Sequence, residues 1–98
     1  MLFANNYEGR LQIEAIELNN SVTVRLYAAA RSAAGQGELA VAPGRLDLIL
    51  ADIALENPRL EQVLLQCSFL LDGVVLHEKE TIVPAGSTLD VLPPFAGG

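Results

Sequence analysis

Cationic and thiol side chains are scarce in this chain of 98 residues, which has one lysine, Lys79, one histidine, His77, and one cysteine, Cys67. A single thiol excludes an intramolecular disulfide, a four-thiolate zinc site and a four-thiolate iron-sulfur cluster supplied by this chain alone. No basic neighbour in sequence lowers the pKa of Cys67, so it reads as a small apolar core residue and not as a nucleophile. A single histidine leaves no Cys-His or Ser-His-Asp grouping, and His77 reads as an exposed hairpin residue. No metal site and no bound cofactor are therefore expected. Six cationic side chains stand against twelve acids, for a net charge of −6. That balance repels phosphate backbones and anionic lipid heads, so neither nucleic acid nor membrane is an expected partner. Its natural complement is a basic groove on another protein, with steering that weakens as salt rises. Long apolar runs are missing too, because Asp47, Asp52, Glu56 and Glu61 interrupt them well short of a membrane span. Residues 1–10 have neither a basic start nor a continuous apolar stretch, so no secretory signal is read and a cytoplasmic location is expected.

What is present is apolar: 51% of the chain, enough for one compact core but not for a second domain with its own catalytic cleft. Any chemistry is then expected to need a partner. The last residues, Pro93-Pro94-Phe95-Ala96-Gly97-Gly98, are the most informative in the chain. Two prolines fix φ near the polyproline value and favour an extended exit from the fold. The four residues beyond Pro94 reach roughly 13 Å, far enough to enter a neighbouring cleft. Glycine lacks a Cβ, so Gly97-Gly98 is about the slimmest peptide that can thread a narrow channel.

Val22, Val24 and Leu26 alternate with Thr23, Arg25 and Tyr27, the period of a strand with one buried face. The alanine-rich link 28–34 favours a short helical turn closed by Gly35. Glu38–Val41 reads as a second strand, ended by the Pro43-Gly44 turn signal. Leu46, Ile49, Leu50 and Ile53 recur at helical spacing, and Asn57-Pro58 stops that main helix. Leu60, Val63 and Leu64 fit a second short helix on the same core. Ser68–Leu71 runs as a strand into Asp72-Gly73, a hairpin signal, with 74–76 as the return. Pro84-Ala85-Gly86-Ser87 is a further turn, and Thr88–Leu92 is the closing strand. The order β-β-α-β-β-β predicts an α+β fold in which one main helix packs across a mixed sheet whose first and last strands lie parallel in the middle. This is a β-grasp, or ubiquitin-like, arrangement over residues 21–98. Residues 1–20 form an N-terminal extension expected to be flexible, in which Leu11, Ile13 and Ala15 fit an edge strand or Leu11 to Leu18 a helical turn or two.

Val24-Arg25-Leu26-Tyr27-Ala28-Ala29-Ala30-Arg31 with Ala34-Gly35, and Leu89-Asp90-Val91-Leu92 with the tail, resemble the opening and closing strands of the small subunit of molybdopterin synthase, the MoaD branch of the MoaD/ThiS sulfur carriers. Pro43-Gly44 and Asp72-Gly73 sit where that family has them, and the double proline distinguishes the branch. The resemblance implies that the Gly98 carboxylate is adenylated by a ubiquitin-activating-like partner enzyme, which uses ATP and magnesium. A sulfurtransferase relay then converts it to a thiocarboxylate. It implies further that the large catalytic subunit takes this sulfur into a pyranopterin precursor during molybdenum cofactor biosynthesis, in a heterotetramer. Gly97, Ala96, Phe95, Pro94 and Pro93 would thread the tail. If Val24 and Leu89 face the core, Tyr27 and Leu92 share the opposite face and with Phe95 form an exposed apolar partner surface. The alternative is that the extension or the helical link covers them. Arg31 is placed with this surface as a partner contact, with pairing to an acid near the link or plain solvation as its alternatives. Other functions remain open: a carrier for thiamine, cysteine or transfer RNA thiolation, a ubiquitin-like protein modifier, or a non-covalent interaction module.

Overall fold

The computed structural model describes residues 20–94. The expectation for the extension therefore falls outside the described residues, Asn20 apart, as do Phe95, Ala96, Gly97 and Gly98.

The described residues form seven strands and three helices in the order β1 (Val22–Leu26), α1 (Ala28–Ala34), β2 (Glu38–Val41), β3 (Gly44–Arg45), α2 (Leu46–Glu56), α3 (Leu60–Leu64), β4 (Ser68–Leu71), β5 (Val74–Val75), β6 (Ile82–Val83) and β7 (Thr88–Leu92). Five of the strands make one sheet in the order β2-β1-β7-β4-β5. β1 and β7 are its parallel central pair, in the register Thr23 to Thr88 through Leu26 to Val91, and the other pairings are antiparallel. This is the β-grasp arrangement that the sequence predicts.

One face of the sheet carries the core. Val22, Val24 and Leu26 of β1 and Leu89 and Val91 of β7 are buried against Leu46, Ile49 and Ile53 of α2, Leu60 and Leu64 of α3, and Phe69 of β4. The i, i+3, i+7 spacing of the α2 residues gives that helix one continuous apolar stripe. Each of these side chains stabilises the fold by roughly 1.5–3 kcal/mol through burial.

Local chemistry sets most of the boundaries. Gly35 closes α1 at φ 76°, donating its N–H to the Arg31 carbonyl at 2.9 Å. Asn57 closes α2, its N–H on the Ile53 carbonyl at 2.9 Å, and Pro58 follows. The β4–β5 hairpin turns through Asp72 at φ 48° and Gly73 at φ 85°, the two positive values of a type I′ turn. Gly86, at φ 85°, occupies the third position of the Pro84–Ser87 turn, which Ser87 closes by donating its N–H to the Pro84 carbonyl at 3.2 Å.

The structure departs from the sequence reading between 43 and 47. Pro43-Gly44 does not simply end a strand: Gly44 and Arg45 pair with Val83 and Ile82 in a separate two-stranded ladder. This ladder delivers the chain into α2, which has no side-chain cap at Arg45. Instead the N–H groups of Leu46 and Asp47 donate to the carbonyls of Thr81 and Lys79, both at 2.9 Å. Two of the donors that a helix start leaves unpaired are thereby satisfied. Arg45 grips Asp47 by two hydrogen bonds, 2.6 and 3.1 Å, and holds that carboxyl below the usual carboxylate range.

Candidate functional site

The parallel pairing of β1 with β7 determines what surrounds the exit of the tail. Parallel strands finish at the same end of a sheet, so Tyr27, just past β1, and Leu92, the last residue of β7, end up side by side. Along β7 the buried alternation Leu89, Val91 continues to Pro93, whereas Pro94 is exposed. Pro93 is thus the last buried residue among those described, and Pro94 brings the chain to the surface. Where residues 95–98 run lies outside the described residues.

Tyr27 and Leu92 do share the face opposite the helices, but both are half-buried. These two residues expose less apolar surface than expected of them, and Phe95, the third member of the expected patch, lies outside the described residues. Among the described residues the large exposed hydrophobics lie elsewhere: Leu48, Leu55, Leu65, Val74, Val75 and Ile82. Part of the reason is a polar group in the middle of that face. Asp90 is only 8% exposed, and Arg25 on the adjacent strand holds it through Nε to Oδ1 at 2.8 Å and Nη2 to Oδ2 at 3.4 Å. The Tyr27 hydroxyl donates to the same Oδ1 at 3.4 Å, which turns the ring over β7 and away from solvent. The hydrogen bond and charge of Asp90 raise the Arg25 guanidinium above its ordinary value, so it stays cationic throughout the neutral range. Sequence alternation places Arg25 and Asp90 on the open face but gives no sign that they meet. A like-facing pair of opposite charges on two parallel strands is the signal that could have found them.

Arg31 is exposed on α1, and its guanidinium lies over Gly37, where a Cβ in place of the glycine hydrogen would approach its Cζ to 3.3 Å. A larger residue there would push the exposed guanidinium aside by a few tenths of an ångström. Arg25, Tyr27, Arg31, Gly37 and Glu38 line one shallow depression of about 390 Å³ beside the strand ends. The structure thus brings Tyr27, Arg31 and Arg25 together next to the point where the tail leaves, with Leu92 one strand over. Arg25 is already committed to Asp90, so the Arg31 guanidinium is the donor this depression offers to a carbonyl or carboxylate of another protein.

The remaining titratable groups are dispersed. Cys67 is half-buried, its thiol donates to the Val63 carbonyl at 3.2 Å, and burial pushes its pKa up. His77 is exposed. The Lys79 ammonium sits 5.5 Å from the ring centroid of Phe69, closing the edge of the core. Among the described residues no group of three or more His, Cys, Asp or Glu side chains converges, and no helix is long and apolar enough to cross a membrane.

No protein-family model matches the sequence, and no curated protein matches it significantly. Solved structures do match. Small archaeal modifier protein 1 from Methanosarcina acetivorans superposes with a TM-score of 0.70 at 25% identity, over 81% of this chain and 97% of that one. A putative molybdopterin converting factor, subunit 1, from Pyrococcus furiosus has a TM-score of 0.69 at 16% identity, over 76% and 98%. The fold is that of the MoaD/ThiS-like, ubiquitin-like small proteins. Subunit 1 of the molybdopterin-converting factor from Helicobacter pylori, solved in complex with subunit 2, has the same MoaD-like fold, with a TM-score of 0.62 at 23% identity over 80% of this chain and 99% of the matched one.

Proposed function

We propose that this chain is a MoaD-like sulfur carrier that serves as the small subunit of molybdopterin synthase, with the Gly98 carboxyl as the group that is activated and loaded. The observation that carries this reading is the exit geometry: Pro93, directly after the central strand β7, is the last buried residue among those described, and a six-residue Pro-Pro-Phe-Ala-Gly-Gly end starts there beside Tyr27, Arg31 and Leu92. A free carboxylate is a poor acyl donor, so the Gly98 oxygen attacks the α-phosphorus of ATP on a partner enzyme and releases pyrophosphate. The outer sulfur of a persulfide on the sulfurtransferase then displaces AMP from the acyl carbon to give an acyl disulfide, and a second thiol cleaves its S–S bond, leaving the thiocarboxylate on this chain and a disulfide on the donor side. This chain's part is to present the tail. Phe95, Ala96, Gly97 and Gly98 enter the partner's channel while Tyr27, Leu92 and Arg31 seat its rim. The Helicobacter pylori protein in complex with subunit 2 supports a larger catalytic subunit as the partner here.

A second reading, a protein modifier that forms isopeptide bonds through Gly98, is favoured by the likeness to small archaeal modifier protein 1. Intact mass decides. After incubation with an adenylating enzyme, MgATP and a sulfur source, the chain is expected to gain the mass of one oxygen-to-sulfur replacement. A variant with one residue appended after Gly98 is expected to gain nothing. Loading of the extended variant, or lysine-linked conjugates without any thiocarboxylate, overturns the sulfur-carrier reading.

A further inference from the structure

At the sheet edge away from the β4–β5 hairpin, one side of β2 has no neighbour among the described residues. The Leu26 N–H donates to the Gly37 carbonyl at 2.8 Å, which makes these two a hydrogen-bonded pair of the antiparallel ladder. Continuing in register, the next such pairs are Val24 with Leu39 and Val22 with Val41. Glu38 and Ala40 therefore turn their N–H and C=O groups outward, and among the described residues these groups meet no partner. Such a row of backbone donors and acceptors is a template for another strand.

A groove of about 590 Å³ runs along this edge on the helix side, between β2 and the second half of α2. Leu39 and Val41 form one wall, and Ile53 and Leu55 the other. Leu55 is 79% exposed, the most exposed of the large hydrophobics among the described residues. The rim is acidic, with Glu38, Asp52 and Glu56, and no lysine or arginine lines the groove. The opposite edge is different: β5 is two residues long.

We propose that the outer edge of β2 and its groove dock an extended segment of a partner protein that is apolar at alternate positions and basic at its flanks. Such a segment pairs with the free groups of Glu38 and Ala40 and sends every second side chain down onto Leu39, Val41 and Leu55. Its flanking cations meet the three rim carboxylates. A second copy of this chain is disfavoured by charge: pairing β2 with its own copy sets the same acids against one another in two molecules of net charge −6. Glu38 also lines the Tyr27–Arg31 depression, so a segment docked on β2 reaches the end of the sheet from which the tail departs. The docking site does not depend on what Gly98 does.

The test is a titration of the ¹⁵N-labelled full chain with the synthetic peptide Lys-Arg-Val-Thr-Val-Ile-Val-Lys and with a version carrying glutamate at the three basic positions. The basic peptide is expected to shift the amides of 36–42 and 52–57 saturably and to slow hydrogen exchange at Glu38 and Ala40. The acidic peptide is expected to bind about tenfold or more weakly, and added salt to narrow that gap. Ala40→Pro removes an outward N–H at an edge position that tolerates proline, so it should abolish binding while leaving the spectrum outside β2 intact. The double variant Asp52→Lys, Glu56→Lys, at exposed helix positions, should weaken the basic peptide by about tenfold. Equal binding of the two peptides, shifts centred on another surface, unaltered binding by either variant, or concentration-dependent self-association through β2 without peptide each overturns the proposal.

Discussion

Among the described residues two other than glycine adopt positive φ, Ala28 at 50° and Asp72 at 48°, and the protein treats them differently. A left-handed backbone at a residue with a Cβ costs about 1–2 kcal/mol. Asp72 offsets that cost with its side chain, because Oδ1 accepts the Thr88 N–H at 2.9 Å while the Asp72 N–H donates to the Thr88 carbonyl at 2.9 Å. The turn of the hairpin is thereby tied to the central strand β7. Ala28 has a methyl group and no such compensation, and it is the first residue of α1, directly after Tyr27 at the same end of the sheet as the tail exit. The strain therefore lies at the candidate partner surface, where a fixed backbone orients Tyr27 on one side and Arg31 on the other. The two positions predict opposite responses. Ala28→Gly is expected to stabilise the chain by up to about 1 kcal/mol, and Asp72→Ala to destabilise it by about 1–2 kcal/mol. Denaturant unfolding of both variants checks this, and a loss of stability in Ala28→Gly would contradict the account of strain.

Among the elements, α2 depends most on a distant part of the chain. Its residue at the capping position is Arg45, which makes no side-chain cap, and the carbonyls of Thr81 and Lys79 take over the first N–H groups. Amide exchange at Leu46 and Asp47 is accordingly expected to be slow, in contrast to the rapid exchange usual for the opening residues of a helix. Fast exchange at both would mean that the 79–83 segment does not hold the helix in solution. The same arrangement explains what the sequence hid. Features made by neighbouring residues were legible: the alternation of Val22, Val24 and Leu26, the Gly35 stop, the Asn57-Pro58 stop and the Asp72-Gly73 hairpin all act within a few positions. The cap of α2 joins residues more than thirty positions apart and leaves no local pattern. The ladder of β3 with β6 has two residues on each side, too few for any period to register. At the candidate site, parallel pairing in the middle of the sheet was enough to put Tyr27 and Leu92 on one face. The burial of Asp90 was not legible, because alternation alone sends it to solvent and only the neighbouring strand supplies Arg25 and Tyr27.

For the molecule as a whole, the residues that hold the fold and those proposed to carry its chemistry lie in different stretches of one chain. The core is built from side chains between Val22 and Val91, and the covalent chemistry is assigned to Gly98. Stability and loading should therefore respond to separate changes. Leu89 is fully buried on the central strand, and Leu89→Ala removes a large apolar group that its surroundings cannot replace. The expected cost is about 2–5 kcal/mol, a large share of the roughly 5–15 kcal/mol that holds a domain of this kind together. Yet the tail chemistry is unchanged, so the fraction of Leu89→Ala that remains folded should still load sulfur. Deleting Gly97 and Gly98 should do the reverse, abolishing loading with no change in the unfolding midpoint. Thermal unfolding and intact-mass loading measured on both variants separate the two effects. If Leu89→Ala lost loading in the folded state, the base of the tail would be contributing more than support. If the glycine deletion lowered the midpoint, the last two residues would belong to the packed fold, and the tail could not be the free arm on which the carrier mechanism depends.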